Sequence, residues 1–318
     1  MATETLTIGS LSTSAGEKTF GVNEFPVQGQ PYRLPMWLIN GAREGPTMLV
    51  TAGVHAAEYA SIAAALDLGR TLDPRTLAGR VVVVPVLNVA GFGVRSIYIC
   101  PLDGKNLNRV FPGNANGTAS EQVADWLVQN VMKQADYYVD LHGGDLIEAL
   151  VPFTIMFRSG NEQVDHASLE MAKAFGIHYL VRSETPGSAY AAATKAGIPS
   201  ILAEAGGQGI WPPEDVERLG NGVDRVMRHL KMLPGPAPET MTYTLLDQFL
   251  WLRSEQDGFW YPAVSVGDRV KAGQGLGCVK DHEGRVLQAV TSPADGRVLF
   301  LVTALAINKG DPFLAVGA

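Results

Sequence analysis

Apolar residues recur between positions 47 and 230 with two spacings, one typical of buried strands and the other of amphipathic helices. The pattern predicts strands at 47–52, 81–84, 137–141 and 200–203. It predicts helices at 57–72, from 118 onward, at 164–175 and at 213–230. The valines at 81–84 are apolar on both faces, as expected for a central strand covered by helices on both sides. Strands that alternate with helices predict a mostly parallel α/β sheet.

Two other segments of this part have less regular patterns. Residues 1–45 alternate short polar and apolar stretches between prolines. We expect an irregular N-terminal segment with one strand near 32–39. Residues 88–117 are rich in glycine, asparagine and proline. A loop of this length inside a compact domain is usually functional or disordered.

The C-terminal part has a different character. A proline-rich linker occupies 234–238, and the short apolar runs that follow are divided by Gly-Asp and Asp-Gly turns. We therefore predict a large α/β domain over 1–234 and a small β-barrel or β-sandwich domain over 240–318. The expected fold class is α/β, with a mostly parallel or mixed sheet flanked by helices, followed by the small all-β domain.

Composition narrows the classes of partner. The 32 acidic residues outnumber the 25 basic ones and no basic stripe is visible, which argues against a nucleic-acid partner. No apolar stretch reaches the roughly 18 residues of a membrane helix, and we expect neither a signal peptide nor membrane association. Cys100 and Cys278 lie far apart, so no disulfide is expected and a cytoplasmic location fits.

Polar side chains follow three of the predicted strands. His55 and Glu58 come after the first strand, His142 ends the third, and Glu204 ends the fourth. The carboxyl ends of strands in such sheets are where ligands bind. Two imidazoles and a carboxylate, with one open position, match the catalytic form of zinc coordination. The sequence therefore predicts a zinc site at this edge of the sheet.

Each of these residues also has a simpler interpretation. A His-x-x-Glu spacing taken alone is more often chance than a metal site. His142 can be a strand-end histidine satisfied by Asp140, or Asp140 can orient His142 as a metal ligand through a hydrogen bond. Glu204 is a candidate general base and acid, because burying a carboxylate after an apolar strand is costly without a role. The alternative is an exposed loop residue.

The 88–117 segment supplies candidates for substrate binding. Arg109 can pair bidentately with a substrate carboxylate, and Asn108 can add a directional hydrogen bond. Arg95 can stabilise a developing oxyanion, although a solvated arginine is an equally good interpretation. Tyr190, in a glycine-bearing loop before the last strand, is interpreted as an ordinary loop tyrosine, with a cleft-facing position as the alternative.

These motifs carry a family resemblance. In chain order they are His55-x-x-Glu58, Asn106-Leu107-Asn108-Arg109-x-Phe111-Pro112-Gly113, Asp140-Leu141-His142 and Glu204-Ala205-Gly206-Gly207. Together they resemble the succinylglutamate desuccinylase/aspartoacylase family, a branch of the zinc carboxypeptidase-like clan. The resemblance runs over roughly residues 45–210, and the trailing β module also looks like the C-terminal domain of that family.

The resemblance implies a zinc-dependent hydrolase, with one Zn²⁺ per chain, that removes an acyl group from an N-acylated amino acid. It implies three metal ligands, His55, Glu58 and His142. It implies Glu204 as the catalytic carboxylate and Arg95 as a polarising group. It implies two residues that bind the substrate carboxylate, Asn108 and Arg109. The acyl group is not specified by these motifs.

Three functional hypotheses follow. The first is a zinc amidohydrolase acting on a small-molecule N-acyl amino acid, with a homo-oligomer compatible with the sequence. The second is a metallocarboxypeptidase acting on a small peptide or a peptidoglycan fragment. The third is a non-catalytic binding protein that keeps the cleft. The β module also resembles lipoyl/biotinyl-type folds, but Lys271 and Lys280 lack the expected setting, so a lid or a subunit contact is favoured over a carrier.

Overall fold

The structure of the protein is a computed structural model that describes residues 4–239 and 241–318. The strands before residue 239 are β1 (Leu6–Ile8), β2 (Leu11–Thr13), β3 (Glu17–Val27), β4 (Gln30–Asn40), β5 (Arg43–Thr51), β6 (Ala78–Val84), β7 (Tyr137–His142), β8 (Glu148–Leu150), β9 (Phe153–Phe157), β10 (Tyr179–Ser183) and β11 (Ser200–Glu204). The α-helices are α1 (Tyr59–Thr71), α2 (Val89–Val94), α3 (Ala119–Asn130), α4 (Glu162–Phe175), α5 (Ala189–Lys195) and α6 (Pro213–His229). The strands after residue 241 are β12 (Thr244–Leu246), β13 (Phe249–Arg253), β14 (Gly258–Pro262), β15 (Arg269–Val270), β16 (Gly275–Lys280), β17 (Val286–Thr291), β18 (Gly296–Val302), β19 (Ala306–Ile307) and β20 (Pro312–Gly317).

The largest sheet joins strands in the spatial order β12-β10-β9-β11-β7-β5-β6-β4-β3. Its centre is parallel, because β5 pairs in parallel with both β6 and β7, and β7 pairs in parallel with β11. The pairs β9–β11, β4–β6 and β3–β4 are antiparallel. The predicted fold class, a mostly parallel or mixed sheet flanked by helices, is confirmed.

Both faces of the central strands are buried, as the apolar runs predict. On β6, Val81 and Val83 join the core beneath α1, α4 and α6, whereas Val82 and Val84 join the core beneath α3 and α5. Successive side chains of a strand point to opposite faces. A continuous apolar run is therefore what a strand between two helical layers requires.

The N-terminal segment is more regular than its sequence pattern suggests. Instead of an irregular entry with one strand, β3 and β4 form a hairpin of eleven residues each. Strand β4 pairs with β6 only over 37–40, so the part that contains Pro31 and Pro35 has one neighbouring strand. Proline is tolerated in a strand where one side forms no backbone hydrogen bonds to a neighbouring strand. The prolines of β4 are therefore compatible with regular strand structure.

The C-terminal strands form two further sheets, in the orders β13-β20-β18-β15 and β17-β16-β14-β19. Strands from the two parts of the chain pair with each other, since β8 pairs with β18 and β12 pairs with β10. The division into 1–234 and 240–318 therefore stays a prediction. Cys100 and Cys278 are free thiols, as expected. Among the helices of residues 4–239 and 241–318, none is long and apolar enough to cross a membrane.

Candidate active site

The first site residues lie where β5 gives way to α1. Gly53 has a φ of +60°, a conformation that glycine adopts without a steric penalty, and the chain turns there before His55. Glu58 occupies the N-cap position of α1 but its side chain makes no capping hydrogen bond. Its carboxylate is 3% exposed and points at the histidines instead.

Parallel pairing brings the other strand ends to the same place. His142 is the last residue of β7 and is paired in register with Glu204, the last residue of β11. On the other side of β7, Thr51 at the end of β5 is in register with Asp140. The structure thus brings together His55, Glu58, His142 and Glu204 at the carboxyl edge of the sheet.

One carboxylate lies between two imidazole rings. His55 Nδ1 lies 2.7 Å from Glu58 Oε1, and His142 Nδ1 lies 2.9 Å from Glu58 Oε2. The ring centroids of the two histidines are 5.1 Å apart. Burial by itself raises the pKa of Glu58, but the charges and hydrogen bonds of His142 and His55 outweigh it and lower that pKa to about 2.

The far side of each ring also has a polar neighbour. His55 Nε2 lies 3.0 Å from Asn106 Oδ1, and His142 Nε2 lies 3.3 Å from Asp140 Oδ2. Asp140 is fully buried, and its other oxygen accepts a hydrogen bond of 2.6 Å from the Thr51 hydroxyl. Histidines that bind metals usually have their second nitrogen oriented in this way. Asp140 therefore lies on the outer side of His142, while the inner nitrogen faces Glu58.

The three side chains fit a divalent metal ion. The nitrogens of His55 and His142 and a carboxylate oxygen of Glu58 all lie within 4.8 Å of one another. Glu58 Oε2 is buried, and its polar neighbour is His142 Nδ1 at 2.9 Å. A divalent cation bound by these three side chains would have two nitrogen donors and one oxygen donor, a set that suits zinc.

Glu204 is next to this group and has a free carboxylate oxygen. Its Oε2 is buried and lacks a hydrogen-bond partner among the described residues, while the side chain as a whole is half-buried at the cavity wall. Burial, together with the negative charge of Glu58, raises the pKa of Glu204 well above its usual value. A carboxyl group in this setting holds a proton more readily than an exposed one.

The Asn108-Arg109 segment forms a second wall of the cavity. Asn108 is buried, and its Oδ1 accepts a hydrogen bond of 2.9 Å from the backbone of Ala189 at the start of α5. Its Nδ2 lies 3.5 Å from His142 Nε2. Arg109 is exposed to the cavity, and its Nη1 donates to the Asn108 carbonyl at 2.7 Å. Both side chains are therefore within the same cavity as Glu204.

Arg95 is placed differently from the other candidates. It is an exposed residue at the C-terminal end of α2 with a φ of +56°, and it is not among the described residues that line the cavity. Tyr98, three residues later, lines the cavity instead, and its hydroxyl donates to Glu148 Oε1 at 2.5 Å. The polarising role of Arg95 stays a prediction that this position does not favour.

Sequence patterns did not predict that several residues lie in or beside the cavity. Tyr190 belongs to α5, is 4% exposed and lines the cavity, so its interpretation as an ordinary loop tyrosine is wrong. Asn106 was visible only as part of its motif. Glu148 lines the cavity, whereas Asp145 is fully buried and is not among the described residues that line it. Burial and the charge of Glu58 raise the pKa of Asp145 to about 8, and burial raises that of Glu148 to about 7. No periodicity or spacing in the sequence marks these two acids.

The cavity as a whole has a volume of about 610 Å³ and is built from both parts of the chain. Its floor holds the His55, Glu58 and His142 group. The side chains that the C-terminal strands contribute to its wall are Phe249, Trp251, Arg253, Phe300 and Pro312. A cavity of this size, with a few convergent polar groups, is typical of a small-molecule site.

The chain matches known proteins over most of its length. Residues 44–230 match the family model described as the succinylglutamate desuccinylase/aspartoacylase catalytic domain. An N-alpha-acetyl-L-2,4-diaminobutyric acid deacetylase of Halomonas elongata is 30% identical over 284 residues, which cover 86% of this chain and 82% of that protein.

Solved structures are also similar to this chain over almost its whole length. The product-bound ectoine utilization protein EutE (DoeB) of Ruegeria pomeroyi is similar with a TM-score of 0.86 at 25% identity, covering 95% of each chain. A succinylglutamate desuccinylase/aspartoacylase of Rhodobacter sphaeroides has a TM-score of 0.84 at 25% identity, covering 94% of each chain. The segment matched by the family model contains every strand end described above, from β5 to β11. The chain therefore belongs to the succinylglutamate desuccinylase/aspartoacylase family.

Proposed function

We propose that this protein is a zinc-dependent amidohydrolase that removes an acyl group from an N-acylated amino acid. The observation that carries the proposal is the arrangement at the cavity floor. The His55-Glu58-His142 group, in which Glu58 and His142 are buried and His55 is half-buried, adjoins Glu204, whose Oε2 has no hydrogen-bond partner among the described residues. Membership of a deacylase family supports the same reaction class.

His55, Glu58 and His142 would hold one Zn²⁺ per chain. When bound, the ion supplies a Lewis acid that polarises the acyl carbonyl and lowers the pKa of water. Asp140 and Asn106 orient the two imidazoles from the far side of each ring. Orientation of this kind fixes which nitrogen faces the cavity and reduces the cost of organising the ligands.

Glu204 supplies the proton transfers. It accepts a proton from the attacking water as the new bond between oxygen and the acyl carbon forms. It returns the proton to the leaving nitrogen as the amide C–N bond breaks, which gives a carboxylic acid and a free amino acid. Burial and the charge of Glu58 raise the pKa of Glu204. A carboxyl group positioned beside the reacting atoms is a common general acid and base.

Asn108 and Arg109 would bind the carboxylate of the amino acid. Arg109 is a cation that has no carboxylate partner within the described part of the chain, and it shares the cavity with Glu204. Arg95 is not part of this proposal, because it is exposed outside the cavity lining. The Halomonas relative is named for the deacetylation of N-alpha-acetyl-2,4-diaminobutyrate, so an acetyl group is the first acyl group to test.

The test combines metal content with a substrate panel. Purified protein is analysed for zinc, then assayed with N-acetyl and N-succinyl amino acids, including N-alpha-acetyl-2,4-diaminobutyrate. We expect about one zinc per chain and release of a free amino acid. A protein without zinc that hydrolyses none of the panel would contradict the proposal. Release of a C-terminal residue from dipeptides instead would favour a metallocarboxypeptidase, whose substrate also presents a carboxylate to Arg109.

A further inference from the structure

The C-terminal strands contribute a cation to the cavity. Arg253 is the last residue of β13 and lines the same cavity as Arg109, although the two residues come from opposite parts of the chain. Its Nη1 donates to the carbonyl of Gly310 at 2.9 Å, and its guanidinium lies 6.0 Å from the ring centroid of Trp251. These contacts hold the side chain at the cavity wall without neutralising its charge.

The cavity arginines fall into two classes. Arg158 and Arg182 are neutralised, with Arg158 Nη1 at 3.2 Å from Glu184 and Arg182 Nη1 at 2.9 Å from Asp247. Arg109 and Arg253 form no ion pair with any carboxylate within residues 4–239 and 241–318. Two positive charges in one concave site are thus left without a protein counter-ion.

These two charges act on each other. Partial burial lowers the pKa of Arg109, and the positive charge of Arg253 adds to this effect, while Tyr190 and Glu204 act in the opposite direction. Like charges facing the same partly desolvated space are unfavourable unless an anion lies between them. Guanidinium groups match a carboxylate in shape as well as charge, since each presents a planar set of donors.

We propose that Arg253 binds the substrate carboxylate together with Arg109. This inference rests on the proposed function, which places an amino-acid carboxylate near Arg109. It adds that the anion is held by cations from both parts of the chain. The C-terminal strands then complete the binding site, and selectivity for a free carboxylate depends on a residue outside the segment matched by the family model.

The experiment measures selectivity for the carboxylate. Arg253→Gln is compared with the wild type on an N-acetyl amino acid and on its carboxamide, which lacks the negative charge. A charge-assisted contact of this kind contributes about a tenfold factor or more. We expect Arg253→Gln to lower kcat/KM for the carboxylate by about tenfold, mainly through KM, and to leave the carboxamide almost unchanged. Arg253→Lys should recover part of the loss.

Arg285→Gln is the matched control. Arg285 also belongs to the C-terminal part, but it is exposed and paired with Asp281 at 2.7 Å, and it does not line the cavity. This variant should behave as the wild type on both compounds. If Arg253→Gln lowers the rates for both compounds equally, its effect is structural and the inference is wrong.

A binding measurement separates this inference from the proposed reaction. Calorimetric titration of the same two compounds is carried out in a Glu204→Gln background, with and without Arg253→Gln. Tighter binding of the carboxylate that disappears in the double variant supports the inference even when wild-type protein hydrolyses neither compound. Failure of both compounds to bind, or equal binding of both in the single variant, overturns it.

Discussion

Replacing Glu204 by glutamine tests the assigned chemistry most directly. The substitution keeps the shape of the side chain and removes its ability to exchange a proton. Glu204 Oε2 has no hydrogen-bond partner among the described residues, so no observed contact of that oxygen is lost. Glu204 is also outside the group of side chains whose donor atoms converge to fit a metal. We therefore expect metal content to be unchanged and only catalysis to fail.

The expected loss follows from the role assigned to this residue. General acid–base catalysis contributes about 10²–10⁴-fold to a rate. At about 1.36 kcal/mol per factor of ten, this corresponds to about 3–5 kcal/mol of transition-state stabilisation. Because the carboxylate does not bind the substrate in this mechanism, the loss should be in kcat, with KM changing little.

Although Glu204→Gln should abolish most activity, it should not destabilise the metal-free protein. Burial and the charge of Glu58 raise the pKa of Glu204 in the folded state. Below the unfolded pKa of about 4.5, both states are protonated and Glu204 contributes no pH-dependent difference. As the pH rises above that value, the unfolded state ionises first and the folded state loses stability. Metal-free Glu204→Gln should therefore have a Tm at neutral pH equal to or above that of the wild type.

The assay compares kcat, KM, zinc content and metal-free Tm for the wild type, Glu204→Gln and His55→Ala. His55→Ala is the control for metal loss, because it removes a member of the converging donor group and should lose both zinc and activity. Full activity in Glu204→Gln would refute the role of Glu204 as the general base. Loss of zinc in that variant would show instead that Glu204 acts on the metal site.

Three further predictions concern the surroundings of the site. Asp140→Asn should weaken zinc binding by about 10–100-fold, measured by chelator competition, because Asp140 faces the outer nitrogen of His142. Zinc affinity should fall as the pH is lowered from about 8 to about 6. Burial lowers the pKa of both His55 and His142, but the charge of Glu58 outweighs it and raises them. As the pH falls, a larger fraction of these histidines is protonated, and zinc must displace those protons. Gly187→Ala should raise KM several-fold with zinc content unchanged, because an added Cβ would lie 2.7 Å from the Arg109 carbonyl oxygen at a φ of +93°.

Each of these predictions has a contrary result, and the two substitutions each have a control. Asp136→Asn removes an exposed carboxylate that bonds the backbone of Thr47 and should leave zinc binding unchanged, so equal effects of both substitutions would exclude an orienting role for Asp140. Zinc affinity that does not vary with pH would show that the histidines bind no protons in the metal-free protein. Gly197 has a similar φ of +90° with no atom within 4 Å of an added Cβ. If Gly197→Ala raised KM as much, backbone strain alone would explain the Gly187 result.

The sequence by itself located the strand ends that form the site. The apolar runs ending before His55, at His142 and at Glu204 predict parallel strands, and the structure gives β5, β7 and β11 side by side. Strand periodicity is a local property that each segment carries in its own residues. The carboxyl ends of neighbouring parallel strands lie at one edge of a sheet. The residues that follow these strands were therefore expected to lie close together.

The pattern of residues along the chain was less reliable where distant segments determine the local structure. Prolines in β4 suggested irregular structure, but the strand is open on one side over the segment that contains Pro31 and Pro35. Whether a strand position lies at such an edge depends on neighbours far away in sequence. Tyr190 likewise looked like a loop residue, yet it belongs to the short helix α5 and lines the cavity.

Only the tertiary structure decided which side chains surround the strand ends. It placed Tyr98 in the cavity lining and left Arg95 outside, although the two lie three residues apart in one segment. It set Asp140 against the outer nitrogen of His142, a choice that strand alternation left open. It also brought Arg253 to the cavity that contains Arg109. The physical reason is that periodicity records which face of an element is buried, whereas loop conformation and the docking of distant strands depend on packing across the whole chain.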